Sequence, residues 1–389
     1  MQVLNFPSKK LNKKKLIIFI SLCVTLLIFL ILWMIYVFNP SFRAFIDIYI
    51  FRKEIHSNNL SIIELTPNED NYFYAYDKYI AVLNKNILYT YNHLGEISKE
   101  NDINITSPIF SSNNKFLAVA QNEGNNLYLV SGTNILWQKT VDGSISKITV
   151  NKNGYVCVIV SGTSYKSVVI ILDSKGKELF KTYLSSNIAI DATISNDNKY
   201  LSIAEIDYSG SIIKSMVKNI SIEKAKTDPT NSVIYNYELP ENLLLTNIKY
   251  KDKNKLICMC NDGIYLFDIS DLSDKKILEY NNFEYIDINL KNNLVYTINK
   301  SFGFNNTAYI NIFNINNQSI TTYEFNGSIK SILGTNEKIA INTGSEIHFI
   351  GLNGWLIKKY ESYNEINNII LSDSIAGIVY KDRIEIVEI

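Results

Sequence analysis

The chain has 389 residues, enough for two ordinary domains or one large β domain, and 47% of them are apolar, enough to bury a core. Lys and Arg number 38 and Asp and Glu also 38, so the formal charge is zero. That balance argues against a nucleic-acid binder, which carries a basic stripe.

Residues 1–15 are polar and basic, with Lys9, Lys10, Lys13, Lys14 and Lys15 and no acid. Leu16–Phe38 follows, 23 residues without a charge. At a rise of about 1.5 Å per residue this run reaches roughly 35 Å, enough to cross a bilayer core. Trp33 and Tyr36 sit near its far end, where interfacial aromatics collect. The run is too long for a cleaved leader, and no small-x-small site follows it. Cys23 lies mid-run behind Leu22, which is not the setting of a lipidated cysteine. The lysine cluster therefore predicts a single-pass cell-membrane protein with a cytoplasmic N-terminus, bilayer contact through Leu16–Phe38 and an extracytoplasmic C-terminal domain. Arg43, Arg52 and Lys53 on the far side pull weakly the other way.

Asn39-Pro40 ends the spanning helix, because proline cannot continue it. In the linking stretch 39–59, Phe42, Phe45, Ile46 and Tyr49 share one helical face, with Arg43, Asp47 and Glu54 on the other. That pattern fits a helix lying on the membrane or a stalk packed under the next domain.

From residue 60 to 389 the pattern is strand and turn. A polar turn followed by a short apolar strand recurs eight times, starting at Ile80, Leu117, Val156, Leu201, Leu256, Leu294, Ile339 and Ile375. A period near ~40 built of short strands predicts an all-β chain: an eight-bladed β-propeller, with seven as the alternative count, behind one transmembrane helix. In the second repeat the four strands read Ile105–Ser111, Phe116–Ala120, Asn126–Ser131 and Ile135–Thr140. Turns between third and fourth strands carry Gly or Asn, as in His93-Leu94-Gly95, Asp173–Gly176 and Asn353-Gly354. The second cassette residue is small in six copies (Ala81, Ala118, Cys157, Ser202, Ala340 and Ala376), which fits crowding near the axis; Ile257 and Val295 depart from the rule. The fourth repeat is long, with a third strand near Ile212–Ile222 and a protruding loop near Lys224–Ser232. The last repeat has only three strands, and the lone strand Ser61–Leu65 is free to supply the fourth and close the ring.

These repeats, with phrases such as NILWQKTVDG from Asn134 and LNGWLIKKY from Leu352, resemble eight-bladed quinoprotein-like propellers and, more loosely, WD-repeat proteins. Quinoprotein dehydrogenases carry a Trp in most blades; here only Trp137 and Trp355 take that place, and the Trp-Asp dipeptide of WD repeats is absent. The layout as a whole is similar to a family of Firmicute proteins with one membrane helix, a propeller-like ectodomain and no assigned activity.

Residues that carry chemistry are sparse. His56, His93 and His348 form no HxH or HExxH pair, and no GxSxG elbow, Walker loop or EF-hand loop occurs. Cys258 and Cys260 share one strand face and read as packing, as does Cys157. No cofactor, metal or catalytic residue is assigned. Asp191 and Asp287, in or near inner strands, are the places to look for a carboxylate pair, with a bonded structural carboxylate as the default. Asn-x-Ser/Thr triplets such as Asn104–Thr106 and Asn305–Thr307 arise by chance in an Asn-rich chain. Loops between second and third strands hold the candidate binding aromatics: Tyr165 in Ser161–Ser167, Tyr208 in Ile206–Gly210, and Phe302 and Phe304 in Asn299–Thr307. The expected function is a non-catalytic binding or scaffold module for a protein or envelope polymer. The alternative is an envelope enzyme, either a quinone-cofactor oxidoreductase or a glycan hydrolase or lyase, with its site at the channel mouth.

Overall fold

All eight apolar cassettes become the second strand of a four-stranded antiparallel sheet. The reason lies in burial. In Phe116–Gln121, Leu117 and Val119 pack with Ala81 and Leu83 of the preceding sheet, while Ala118 and Ala120 pack with Val156, Val158 and Val160 of the following one. A strand covered on both faces needs an unbroken apolar run rather than an alternating one. The computed structural model of the chain describes residues 13–39, 42, 46, 60–66, 70–162, 164–280, 283–302 and 305–389.

The sheets are eight propeller blades. Blades 1 to 7 span 71–102, 108–140, 144–184, 188–238, 245–279, 286–326 and 331–361, each built in sequence order. Blade 8 takes three strands from 368–388 and its outermost strand, Ser61–Glu64, from the other end of the domain. The closing register runs from Ser61 opposite Ile386 to Glu64 opposite Arg383, with Ile63 only 2% exposed. The closure expected from the three-strand last repeat is therefore present.

The second cassette residue faces the next blade in blades 1 to 7. Ile257 and Val295 keep that orientation, packing with Leu294 and Ile339 respectively, so their bulk marks no slip. Blade 8 is the exception. Ala376 turns back toward Ala340 of blade 7, and Gly377 takes the forward position. A Cβ there would meet Ile370 Cγ1 at 2.7 Å, so the close approach itself requires glycine.

Turns between third and fourth strands lock each blade to the one before. Gly176 has φ +78, and a Cβ on it would lie 2.8 Å from the Trp137 ring of blade 2. Trp137 Nε1 donates to Ser174 O of the same turn at 3.2 Å. Trp137 thus docks blade 2 on blade 3, whereas Trp355 is 48% exposed.

Several boundaries differ from the sequence reading. The first strand of blade 2 is Pro108–Asn113, and Ile105 is buried in the loop before it. The long third strand of blade 4 is Lys214–Ser221; a single helical turn, Ile222–Ala225, capped by Ser221, opens the protruding loop. The expected loop Asn299–Thr307 is largely strand. Asn293–Phe302 and Asn305–Asn314 pair along their full length, and Phe302 is the last paired residue, opposite Asn305. Phe304 lies outside the described residues, as do most of residues 1–12 and 40–59, including the expected amphipathic stretch and His56.

The N-terminal helix is Lys13–Phe38, 26 residues, starting three residues before the apolar run. Its stretch Phe19–Phe38 is long and apolar enough to cross a membrane, and no part of it is buried against the rest of the chain.

The closing strand predicts a cooperative domain that needs both ends. A chain beginning at Asn71 exposes the edge of Arg383–Glu388 and should unfold without a single sharp transition, or aggregate. Thermal melting followed by circular dichroism checks this; a transition as sharp as that of a chain beginning at Asn58 refutes it.

Candidate functional site

The first strands of the blades ring the propeller axis, and in blades 3, 4 and 5 each carries a β-bulge. The register skips Ser146, Ile190 and Thr246, and Ser146 and Thr246 cap ladder carbonyls with their hydroxyls at 3.2 Å each. A bulge re-aims the residue that follows it. Those residues are Lys147, Asp191 and Asn247, and they meet. Lys147 Nζ lies 2.9 Å from Asp191 Oδ1 and donates to Asn247 Oδ1 at 3.2 Å. Asp191 also accepts Ala192 N–H at 2.9 Å and Ile248 N–H of blade 5 at 3.0 Å. One carboxylate, 4% exposed, thereby ties three blades together.

Asp287 does similar work further round. Its Oδ2 accepts Gly334 N–H of blade 7 at 3.1 Å, and its carboxylate also takes Asn289 N–H. Lys249 Nζ of blade 5 donates to Asn289 Oδ1 at 2.6 Å, and burial lowers its pKa against the pull of Asp287. Asp191 is thus bonded to backbone and Lys147, and Asp287 to the backbone and side chain of Asn289 and to Gly334 N–H. Next to this arc, Lys251 is 8% exposed, and its ammonium donates to the carbonyls of Ile288, Leu290 and Asn293 in blade 6. Burial drives its pKa well below the usual lysine range, while three carbonyl acceptors use all of its protons.

The cysteines are packing residues. Cys157, Cys258 and Cys260 are buried and unpaired by disulfides, and burial raises all three thiols, Cys260 to about 12. They lie in second strands, one layer out from the axis. His348 is buried between Tyr323 OH, 2.9 Å from Nδ1, and Glu346 Oε2, 3.0 Å from Nε2. Burial lowers its pKa, with Glu346 opposing. Among the described residues no group of three His, Cys, Asp or Glu is placed to hold a metal ion.

The loop face is different in character. It carries the loops between second and third strands and those joining one blade to the next. Tyr165, 41% exposed, lies against Tyr183 of its own blade with ring centroids 4.7 Å apart. The adjacent Lys166 places Nζ 3.9 Å from the centroid of Tyr208, which is 46% exposed and belongs to blade 4. A cation–π contact from Lys166, next in sequence to Tyr165, thus reaches Tyr208 on the neighbouring blade. Beneath them, fully buried Glu205 pairs with Lys218 at 2.6 Å and accepts from Asn187 at 2.8 Å. Phe302 ends the long strand of the blade 6 hairpin. Sequence reasoning missed Tyr183, Ile212, Ile213 and Tyr363, all exposed on the same face. Tyr183 ends a strand, so loop-based selection passed over it.

With this geometry in hand, the family assignment is direct: residues 53–389 match the model of a family of unknown function, DUF5711. The chain belongs to the DUF5711 family. No curated protein matches its sequence. Solved structures share the fold. BamB from Moraxella catarrhalis aligns with a TM-score of 0.51 at 9% identity, covering 84% of this chain and 100% of that one. The dihydro-heme d1 dehydrogenase NirN aligns at 0.53 with 10% identity, covering 86% and 78%. The WD40 domain of SCAP from fission yeast aligns at 0.50 with 10% identity, covering 85% and 98%. At such identities the likeness extends to the propeller fold and no further, and the neighbours include both an enzyme and WD40 domains.

The junction role of Asp191 predicts a stability loss on truncation. Asp191→Ala strands the buried Ile248 N–H and removes the carboxylate partner of the part-exposed Lys147 ammonium, which costs about 1–3 kcal/mol. Urea unfolding of the Asp191→Ala propeller domain measures it; a loss below about 0.5 kcal/mol, within the range of ordinary surface substitutions, contradicts the role.

Proposed function

We propose that this DUF5711 chain is a membrane-anchored, extracytoplasmic binding module that engages a protein partner or envelope polymer through the loop face of its propeller. The observation that carries the reading is the distribution of exposed aromatics. Of the described propeller aromatics that are more than a third exposed, Tyr165, Tyr183, Tyr208 and Tyr363 lie on the loop face and only Trp355 on the other. Rigid aromatic rings held by a stiff scaffold are the usual energetic anchors of an interface. The apolar helix supports anchoring, and the lysines before it support a cytoplasmic N-terminus. Asp191 and Asp287 are each engaged in bonds that join blades, which supports a structural role for them.

Replacing Tyr165, Tyr208, Phe302 and Phe304 together by Ser tests the site. Each exposed change should shift stability by no more than about 0.5 kcal/mol, so the melting temperature should hold nearly constant. Capture of partners by crosslinking in intact cells should be lost. Unfolding of the variant, or capture of the same partners as wild type, removes this site.

A further inference from the structure

The two faces of the propeller are not equivalent with respect to the tether. Ser61 opposes Ile386 and Glu64 opposes Arg383, and Arg383 begins its strand at the loop face. Ser61 therefore lies toward the opposite, turn face, and so does the final residue, Ile389. Only 22 residues, 39–60, separate the end of the apolar helix at Phe38 from this entry point. Fully extended they reach at most about 80 Å, and the chain enters the domain at its turn face, where Ser61 begins the closing strand.

That face carries its own exposed apolar groups. Leu94 is 55% exposed, Leu272 42% and Trp355 48%, each at a turn between third and fourth strands. They belong to blades 1, 5 and 7 of an eight-membered ring, so they lie at three separated points around the rim rather than on one side. Some carboxylates of this face are folded onto their own backbone, whereas Glu223 pairs with Lys226 and Glu388 lies 3.7 Å from His93, both exposed. Asp173 accepts the N–H groups of Lys175 and Lys177, and Asp271 that of Ser273. Lys175 and Lys177 are left on the rim.

We infer that the turn face rests on the outer surface of the bilayer, with Leu94, Leu272 and Trp355 seated among the lipid headgroups. Trp prefers this interfacial depth, and the short tether keeps the local lipid concentration high enough for a small apolar contact to hold. The propeller would then stand face-on to the membrane and present Tyr165, Tyr208 and Tyr363 outward. This inference rests on the membrane-anchor reading of Lys13–Phe38.

Full-length protein carrying Trp33→Phe, reconstituted in vesicles of phosphatidylglycerol and brominated phosphatidylcholine, tests both points. Flotation reads the anchor, and quenching of tryptophan emission by the brominated chains reads the docking. The inference predicts co-flotation and strong quenching that disappears when Trp355→Phe is added, and weakens with Leu94→Ser and Leu272→Ser. Co-flotation without Trp355-dependent quenching overturns the docking and leaves the anchor standing. Failure to float overturns the anchor and the docking with it.

Discussion

Every blade of this protein has a second strand that is apolar on both faces, and such a strand is stable only with a neighbour on each side. A row of such blades has no acceptable end. Closing the row into a ring removes the exposed faces, and closing the last sheet with Ser61–Glu64 ties both ends of the repeat array into one blade. The rest of the structure follows from that need. Small or fitted residues line each junction, Gly377 stands where the Ile370 side chain of its paired strand leaves no room for a Cβ, and the chain enters the ring where the closing strand begins.

Apolar packing alone sets no unique angle or register between wedges. The junctions near the axis add direction through polar bonds. Lys147, Asp191 and Asn247 connect blades 3 to 5, Lys251 clasps the carbonyls of blade 6, and Asp287 holds Gly334 of blade 7. Elsewhere hydroxyls serve, as when Thr149 donates to Ala192 O at 2.7 Å and Ser372 donates to Asp77 O at 2.6 Å across the closing junction. Buried polar groups of this kind favour one arrangement because misalignment leaves them unsatisfied. The same bonds give Asp191 and Asp287 a structural role between blades.

The propeller was legible in the sequence because burial on both faces writes an unbroken apolar run, and a run that returns at a steady interval counts blades. The closing strand was legible because blade 8 lacked one. The polar arc was not. KITVN from Lys147, DATIS from Asp191 and NIKYK from Asn247 are equivalent segments, and their first residues are brought together by bulges that leave no mark in a pattern of apolar and polar residues. The hairpin of blade 6 was hidden for another reason: SFGFNN has the composition of a loop, yet its strands pair up to Phe302 and Asn305. Of the candidate aromatics, Tyr165 packs on Tyr183 and Tyr208 takes Lys166 of the neighbouring blade, contacts that no sequence pattern shows. The Tyr183 partner was invisible without the fold.

The account stands or falls on closure by the N-terminal strand. Amide hydrogen exchange on the native propeller domain measures it directly. If Ser61–Glu64 completes blade 8, the Ile63 amide region exchanges as slowly as Arg383–Glu388, through global unfolding only. Fast exchange across 61–64 beside a protected Arg383–Glu388 would show that the ring is held shut without it, and would contradict the account.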